Sequence, residues 1–262
     1  MKFIDTHCHL DAAEFDDRQA ARLAAAQAAG VTRIVVPAVG RDNFAVVAQR
    51  CADAPICAPA FGIHPMYTDH AQPEDLRVLR DFLARPETIA VGEIGLDFFI
   101  DHYDRARQEY FFIEQLKLAR EFDLPVLLHI RRAQDIILKH LRQYPVRGGI
   151  AHAFNGSAQQ AAEFIRLGFK LGFGGAMTYP RATRLRQLAA TLPLASLVLE
   201  TDAPDIPPVF LERGTANAPE YLPQIAATLA ELRGMSLQDI ANITSENALA
   251  VLPKLSLPSA RL

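Results

Sequence analysis

The sequence has little cysteine, no long hydrophobic run and no excess of positive charge. Its three cysteines, Cys8, Cys51 and Cys57, are too few and odd in number for a disulfide framework, so we expect reduced thiols. No apolar run reaches the roughly 20 residues of a membrane span, and the first ten residues lack the charged and apolar segments of a signal peptide. We therefore expect a cytoplasmic protein that does not associate with membranes.

The formal net charge of −3 excludes a global basic field that would hold a polyanion. A DNA or nucleotide substrate would have to be bound locally, by a few positively charged side chains and metal ions. Half of the 262 residues are hydrophobic, which is enough for a substantial core. We expect a single domain over residues 1–262, with a loose tail after about residue 253 and no obligate protein partner.

Short β-type runs alternate with amphipathic stretches along the chain. The eight runs are "KFIDTH", "RIVVPA", "ICAPAFGIH", "TIAVGEIG", "LPVLLHI", "GGIAHAF", "FKLGFGG" and "SLVLETD". Most are continuously apolar, which is typical of parallel strands buried on both faces. Helices are predicted over 16–29, from Pro73 to before Pro86, over 105–122, between Ser157 and Gly168, over 219–233 and from Ser236. The pattern predicts an α/β fold, a (β/α)₈ TIM barrel with an extra C-terminal helix.

Histidines and carboxylates recur where the predicted strands end. They are His7, His9, His64, Glu93, His129, His152, Glu200 and Asp202. Alternate residues of a strand face the same side, so His7 and His9 project together. The C-terminal strand ends of a barrel converge on one face, where barrel enzymes carry out their chemistry. Imidazole and carboxylate ligands suit divalent ions, and this many ligands fit two metals that share a bridging carboxylate.

Six motifs in order carry a resemblance to a known family. They are "IDTHCHLD", "GIHP", "VGEIGLD", "HIRRA", "HAFNGS" and "LETDAP". From Phe3 to about Leu252 the chain resembles the TatD family of metal-dependent hydrolases, best known as deoxyribonucleases, and is most similar to its YjjV-type branch. The resemblance implies a barrel of the metallo-dependent hydrolase type. It also implies two divalent metal cations per subunit, which are Zn, Mn or Mg ions.

The resemblance implies a role for each residue of the first metal site. In the family pattern His7 and His9 hold the first metal. Asp202 completes this site and is the candidate general base. Glu93 bridges both metals, so Glu93 and Asp202 are the expected catalytic residues.

The second metal and the substrate are assigned in the same way. The histidines at the positions of His129 and His152 hold the second metal in the family. His64 is expected to contact a substrate phosphate, with help from Arg131 or Arg132, because the arginine fork suits phosphate recognition.

The resemblance weakens after the last strand. The family often has Arg-Asn-x-Pro there, whereas this chain has Ala216 before Asn217 and Pro219. Residues 206–214 also differ from the usual deoxyribonuclease pattern. Glu200 shares a face with Asp202, and we interpret it either as part of the site or as a partner that orients a ligand.

Three functions remain compatible with the motifs. The expected one is phosphodiester hydrolysis at DNA. The same metal centre could instead hydrolyse a small ester, amide or lactone, and a non-enzymatic metal-binding scaffold is a third class, although it predicts missing ligands and none is missing. The aromatic residues Phe98, Phe99 and Tyr103 after "GLD" are interpreted as core or rim packing, with base stacking as the alternative.

Overall fold

A parallel sheet forms the centre of the computed structural model, which describes residues 1–15 and 18–255. Its eight strands are β1 Phe3–Asp5, β2 Val31–Pro37, β3 Cys57–Phe61, β4 Ala90–Asp97, β5 Val126–Arg131, β6 Gly149–Ala151, β7 Phe169–Phe173 and β8 Leu197–Leu199. Each strand pairs in parallel with the next along the chain. The backbone N–H of Thr6 donates to the carbonyl of Leu199 at 3.1 Å, which joins the last strand to the first. The predicted (β/α)₈ barrel is confirmed.

Helices follow the strands on the outside of the barrel. Within the described residues they are α1 Gln19–Ala28, α2 Arg41–Asp53, α3 Asp75–Leu83, α4 Arg105–Glu121, α5 Gln134–Gln143, α6 Ala158–Arg166, α7 Thr183–Thr191, α8 Leu222–Arg233 and α9 Leu237–Val251. The first helix was predicted over 16–29, and positions 16 and 17 of that prediction lie outside the described residues. Residues 256–262 of the predicted loose tail lie outside them as well.

Two apolar layers result from the alternation of side chains along the strands. On β2, Ile34 and Val36 pack into the large layer between strands and outer helices. Val35, between them, packs into a smaller layer with Ala248 and Val251 of α9. The smaller layer fills the barrel interior, because neighbouring strand residues face opposite sides of the sheet. The C-terminal helix α9 therefore closes one end of the barrel, and the polar site occupies the other.

Helix ends follow the sequence signals with one shift. The Ser157 hydroxyl accepts a hydrogen bond from the Gln160 N–H at 3.1 Å, and Ser236 accepts one from the Asp239 N–H at 3.1 Å. The helix predicted from residue 219 begins instead as the 3₁₀ turn Pro219–Tyr221 and becomes α-helical at Leu222. A second proline, Pro223, occupies the first turn of α8, where a missing N–H costs nothing.

The three cysteines are buried and unpaired by disulfides. Cys8 has no exposed surface, and burial raises the pKa of its thiol well above the ordinary value. Among residues 1–15 and 18–255, every helix is too short or too polar to cross a membrane.

Candidate metal centre

The histidines and carboxylates singled out in the sequence meet at one end of the barrel. Each lies in a strand or within four residues of its end, because the barrel turns the carboxyl ends of all parallel strands toward one opening. They border a cavity of about 770 Å³. Seven of these eight side chains line the cavity: His9, His64, Glu93, His129, His152, Glu200 and Asp202. His7 lies beneath them and is fully buried.

One cluster lies beside β1. The Nε2 atoms of His7 and His9 are 3.3 Å apart. Glu93 Oε2 lies 3.1 Å from the first and 3.4 Å from the second. Asp202 Oδ1 lies 3.8 Å from His7 Nε2 and 3.7 Å from His9 Nε2. Ligands placed about 2.1 Å from a tetrahedral ion stand about 3.4 Å from one another, and the donor atoms of His7, His9 and Asp202 form one mutually close group that could hold an ion.

A second cluster lies beside β3 and β5. Glu93 Oε1 lies 3.0 Å from His129 Nδ1 and 3.5 Å from His64 Nε2. These two histidine nitrogens are 3.0 Å apart. Glu93 therefore directs one carboxylate oxygen into each cluster, which is the arrangement of a carboxylate shared by two ions.

His152 stands nearer the first cluster than the family pattern implies. The sequence prediction paired His152 with His129, but His152 Nε2 lies 3.3 Å from Asp202 Oδ1 and its ring stacks on His7 at 3.6 Å. Among the described residues, no group of mutually close ligand atoms contains both His129 and His152, whereas one contains His7, Glu93 and His152. The structure thus brings all six predicted ligands together with a different grouping.

Two carboxylates contact the far nitrogens of the histidines. Asp97 Oδ2 lies 2.9 Å from His129 Nε2, and Glu200 Oε1 lies 3.1 Å from His152 Nδ1. The hydrogen bond at His129 Nε2 directs Nδ1 of that ring toward the cluster. Glu200 lies in the site, as the sequence analysis predicted. Asp97 was not predicted to belong to the site. Asp97 follows Glu93 by four positions on β4, and this even spacing was a signal that both face the same side.

A buried network holds the strands that carry these groups. Asp5 accepts hydrogen bonds from the Thr201 N–H at 2.9 Å, the Thr201 hydroxyl at 2.6 Å and the His7 N–H at 3.3 Å. Burial raises the pKa of Asp5 to about 7, although these hydrogen bonds oppose the shift. The Asn217 amide donates to the carbonyls of Thr201, Asp205 and Ile206, which fixes the loop after β8. Asp5 and Thr201 were given no role from the sequence.

The charges of the centre are strongly coupled. Burial opposes ionisation of Glu93, but its electrostatic and hydrogen-bond contacts with His7, His64 and His129 outweigh burial and hold the Glu93 pKa well below its usual range. Burial also lowers the pKa of His9, yet the hydrogen bond and charge of Glu93 outweigh it and raise that pKa to about 9. Burial dominates at His64 and lowers its pKa to about 4, so this imidazole is neutral at pH 7.

The predicted substrate residues lie at the edge of the cavity. His64 is buried, and its Nδ1 accepts a hydrogen bond from the Met66 N–H at 3.2 Å. Arg131 lines the cavity with its side chain half exposed, and Arg132 is exposed beside it. Ile206, the first residue of the divergent segment, also lines the cavity.

Comparison with known proteins identifies the relatives of this arrangement. The model of the family described as TatD related DNase matches residues 4–253. The uncharacterized metal-dependent hydrolase YjjV of Escherichia coli strain K12 is 44% identical over 249 residues, covering 94% of this chain and 96% of the relative. A crystal structure of the E. coli YjjV protein superposes with a TM-score of 0.92 at 43% identity, covering 96% of this chain and 98% of the other. The 3'-5' ssDNA/RNA exonuclease TatD of a Rahnella species is 32% identical over 248 residues, covering 92% of this chain and 94% of the relative.

Proposed function

Because this chain belongs to the TatD-related DNase family and is a metal-dependent hydrolase, we propose that it hydrolyses phosphodiester bonds of DNA with two divalent metal ions. The observation that carries the proposal is the division of the Glu93 carboxylate between two histidine clusters. The relative named as an ssDNA/RNA exonuclease supports a nucleic-acid substrate.

The donor atoms fit divalent cations. His7, His9 and Asp202 would hold one ion together with Glu93, because the first three offer mutually close donor atoms and Glu93 Oε2 lies 3.1 and 3.4 Å from the two histidine nitrogens. Glu93 and His129 would hold the other. Zn²⁺, Mn²⁺ and Mg²⁺ are the candidates, since imidazole and carboxylate ligands accept several ions. When bound, two such ions lower the pKa of water toward neutrality and neutralise charge that develops on phosphoryl oxygens.

Ring tautomers support different roles for the histidines. Asp97 accepts a hydrogen bond from the Nε2–H group of His129, so that His129 Nδ1, which faces Glu93, is the nitrogen available to a metal ion. Glu200 Oε1 lies 3.1 Å from His152 Nδ1, and Nε2 of that ring lies 3.3 Å from Asp202 Oδ1. At His64 the relation is reversed, because Nδ1 accepts the Met66 N–H and the proton is on Nε2. His64 Nε2 lies 3.0 Å from His129 Nδ1, and it would donate a hydrogen bond to a phosphate oxygen when a metal ion holds the His129 nitrogen.

The carboxylate of Asp202 is the proposed general base. Its side chain is 14% exposed and borders the cavity, so Asp202 reaches both the ligand cluster and solvent. Burial raises its pKa, but the charge of His152 and a hydrogen bond from it outweigh burial and keep the carboxylate ionised at neutral pH. Asp202 would orient and deprotonate the attacking water, while His64 and Arg131 or Arg132 hold the non-bridging phosphate oxygens.

Cleavage of end-labelled single-stranded DNA tests the proposal. Protein stripped with a chelator would be assayed alone and after separate addition of Mg²⁺, Mn²⁺ and Zn²⁺. We expect cleavage only with metal, and the Asp202→Asn variant should lose at least about 100-fold in rate while keeping its thermal melting profile. The surface variant Asp123→Asn, whose side chain is 80% exposed, is the matched control. Full activity of Asp202→Asn would refute the mechanism.

A second candidate function uses the same metal centre to hydrolyse a small ester, amide or lactone. It is favoured by three carboxylates that line the cavity, Asp11, Glu14 and Asp205, because they repel a polyanion. Metal-loaded protein that cleaves p-nitrophenyl esters or lactones but leaves every oligonucleotide intact would establish this reading.

A further inference from the structure

The loop after β4 presents an aromatic side chain against Arg131, which lines the cavity. Phe99 is 45% exposed. Its backbone N–H and that of Ile100 donate to Asp97 Oδ1 at 2.9 and 3.3 Å. The preceding Phe98 N–H donates to the carbonyl of Arg131 at 2.8 Å. The position of Phe99 is therefore fixed by the carboxylate that also orients His129 in the metal centre.

Two guanidinium groups lie against this one ring. Arg131 Cζ is 3.7 Å and Arg132 Cζ is 4.4 Å from the centre of the Phe99 ring. Among the aromatic rings of the described residues, Phe99 alone carries two cations. Two adjacent positive charges repel each other, and the ring faces compensate only about 1 kcal/mol each at an exposed site.

The arginines lack strong acceptors within residues 1–15 and 18–255. The nearest carboxylate contact is 3.9 Å, between Arg131 Nη1 and Asp97 Oδ2. Asp97 Oδ2 is already engaged by His129. Arg132 also has a left-handed backbone, with φ of 55°, which is uncommon for a residue with a long side chain. An anion would complete this pair of cations.

The charges around the cavity are segregated. Asp11, Glu14 and Asp205 line the side formed by β1 and β8, whereas the side formed by β4 and β5 carries Arg131 beside Asp97, whose two oxygens contact His129 and the Phe99 N–H. A phosphate chain that reaches the metal centre is repelled by the first side and attracted by the second. The nucleotide next to the reacting phosphate would then pass over Phe99.

We propose that Phe99, Arg131 and Arg132 form a stacking lip that binds one unpaired nucleobase and its phosphate beside the reacting phosphodiester. This proposal rests on the nuclease function proposed above. A base can stack on this lip only when it has left the duplex, because a paired base offers no free face. The lip therefore makes single-stranded DNA or a frayed end the substrate and adds a preference for base-bearing over abasic nucleotides.

The aromatic neighbours of Phe99 have a different environment. Phe98 stacks on Tyr103 with ring centres 5.2 Å apart and planes 15° from parallel. These two rings follow the packing interpretation of the sequence. Phe99 departs from it, since its ring contacts the two arginines and leaves nearly half of its surface to solvent.

The test compares binding of two oligonucleotides that differ by one base. Fluorescence anisotropy would measure Kd for a short labelled single strand and for the same strand with an abasic site next to the terminal phosphodiester, in Ca²⁺ to slow cleavage. For wild type, we expect the intact strand to bind about 5- to 100-fold more tightly than the abasic one. Phe99→Ala and Phe99→Leu should abolish the difference, and Phe99→Trp should retain it.

Tyr110→Ala is the matched control, because Tyr110 is an equally exposed aromatic residue on the outer helix α4. If Phe99→Ala weakened binding of the intact and the abasic strand by the same factor, the stacking lip would be overturned, and only phosphate binding by the arginines would remain. An unchanged Kd for both strands in Phe99→Ala would also overturn it. Wild type that shows the base preference but cleaves no oligonucleotide with any metal would refute the nuclease function while supporting the lip. Absence of any binding would refute both.

Discussion

At the scale of single residues, the centre depends on carboxylates that do not face the cluster themselves. Asp97 is fully buried, and its two oxygens have separate partners. Oδ1 holds the backbone of Phe99 and Ile100, and Oδ2 contacts His129 Nε2. Burial opposes ionisation of Asp97, but the hydrogen bond from His129 outweighs it and lowers the Asp97 pKa. One side chain thus couples the substrate-facing loop to a proposed metal ligand.

We predict that Asp97→Asn weakens binding of one metal ion by about 10- to 100-fold. The asparagine oxygen can keep the backbone hydrogen bonds, but its NH₂ group would face His129 Nε2 and move the imidazole proton to Nδ1. A protonated Nδ1 cannot ligate a metal. Calorimetric titration of chelator-stripped protein with Zn²⁺ measures the effect without any substrate. Unchanged affinity at both sites, with Asp123→Asn as the surface control, would contradict the role of Asp97.

At the scale of secondary-structure elements, β4 is the strand on which both clusters depend. It carries Glu93 and Asp97, and it pairs with β5 so that Gly95 lies opposite His129. Gly95 has φ of 153°, and a Cβ atom there would lie 1.9 Å from the carbonyl oxygen of His129. Only glycine allows β5 to approach β4 closely enough to bring His129 within 3.0 Å of Glu93.

Substitution of Gly95 by alanine should therefore destabilise the barrel by at least about 3 kcal/mol, because the clash involves backbone that cannot move aside. The matched control is Gly234→Ala at the end of α8, where φ is 62° and no atom lies within 4 Å of the added Cβ. There only the left-handed backbone is penalised, by about 1–2 kcal/mol. Thermal denaturation of both variants would show the difference, and equal melting temperatures would contradict the steric explanation.

At the scale of the whole molecule, the two ends of the barrel differ in character. Helix α9 packs apolar residues against the barrel interior at one end. The other end gathers buried imidazoles and carboxylates whose charges stabilise one another. This end links the stability of the fold to pH, because histidines with raised pKa values bind protons more tightly in the folded state than in the unfolded state.

We predict that the metal-free protein loses stability as the pH rises from 6.5 to about 9. The folded-state pKa of His9 is about 9, above its unfolded value of 6.5, so its contribution is complete below pH 6.5 and disappears as the pH passes 9. The pKa of His152 is raised as well: burial lowers it, but the charges of Glu200 and Asp202 prevail. The contribution of His9 is of order 3 kcal/mol.

Urea denaturation in the presence of a chelator, repeated at several pH values and constant ionic strength, would measure this decline. His9→Gln should give a shallower decline over the same pH range, since one of the three histidines with a raised pKa is gone. A variant with the full wild-type slope would show that His9 is not responsible.

The sequence alone determined the alternation of strands and helices, and with it the barrel and the face on which its polar residues meet. Continuous apolar runs, caps such as Ser157 and strand-end positions of His7, His9 and Asp202 are local features, so they could be read without a structure. The convergence of eight histidine and carboxylate side chains could be predicted in the same way, because parallel strand ends share one side of a barrel.

The tertiary structure decided what depends on distance between separate strands. It grouped His152 with His7 rather than with His129, gave Asp97 its contact with His129, and placed two arginines on Phe99. Barrel closure and strand register set these distances, and they depend on contacts between residues far apart in the chain. Local spacing carries no information about them, which is why the site could be located from the sequence but its internal geometry could not.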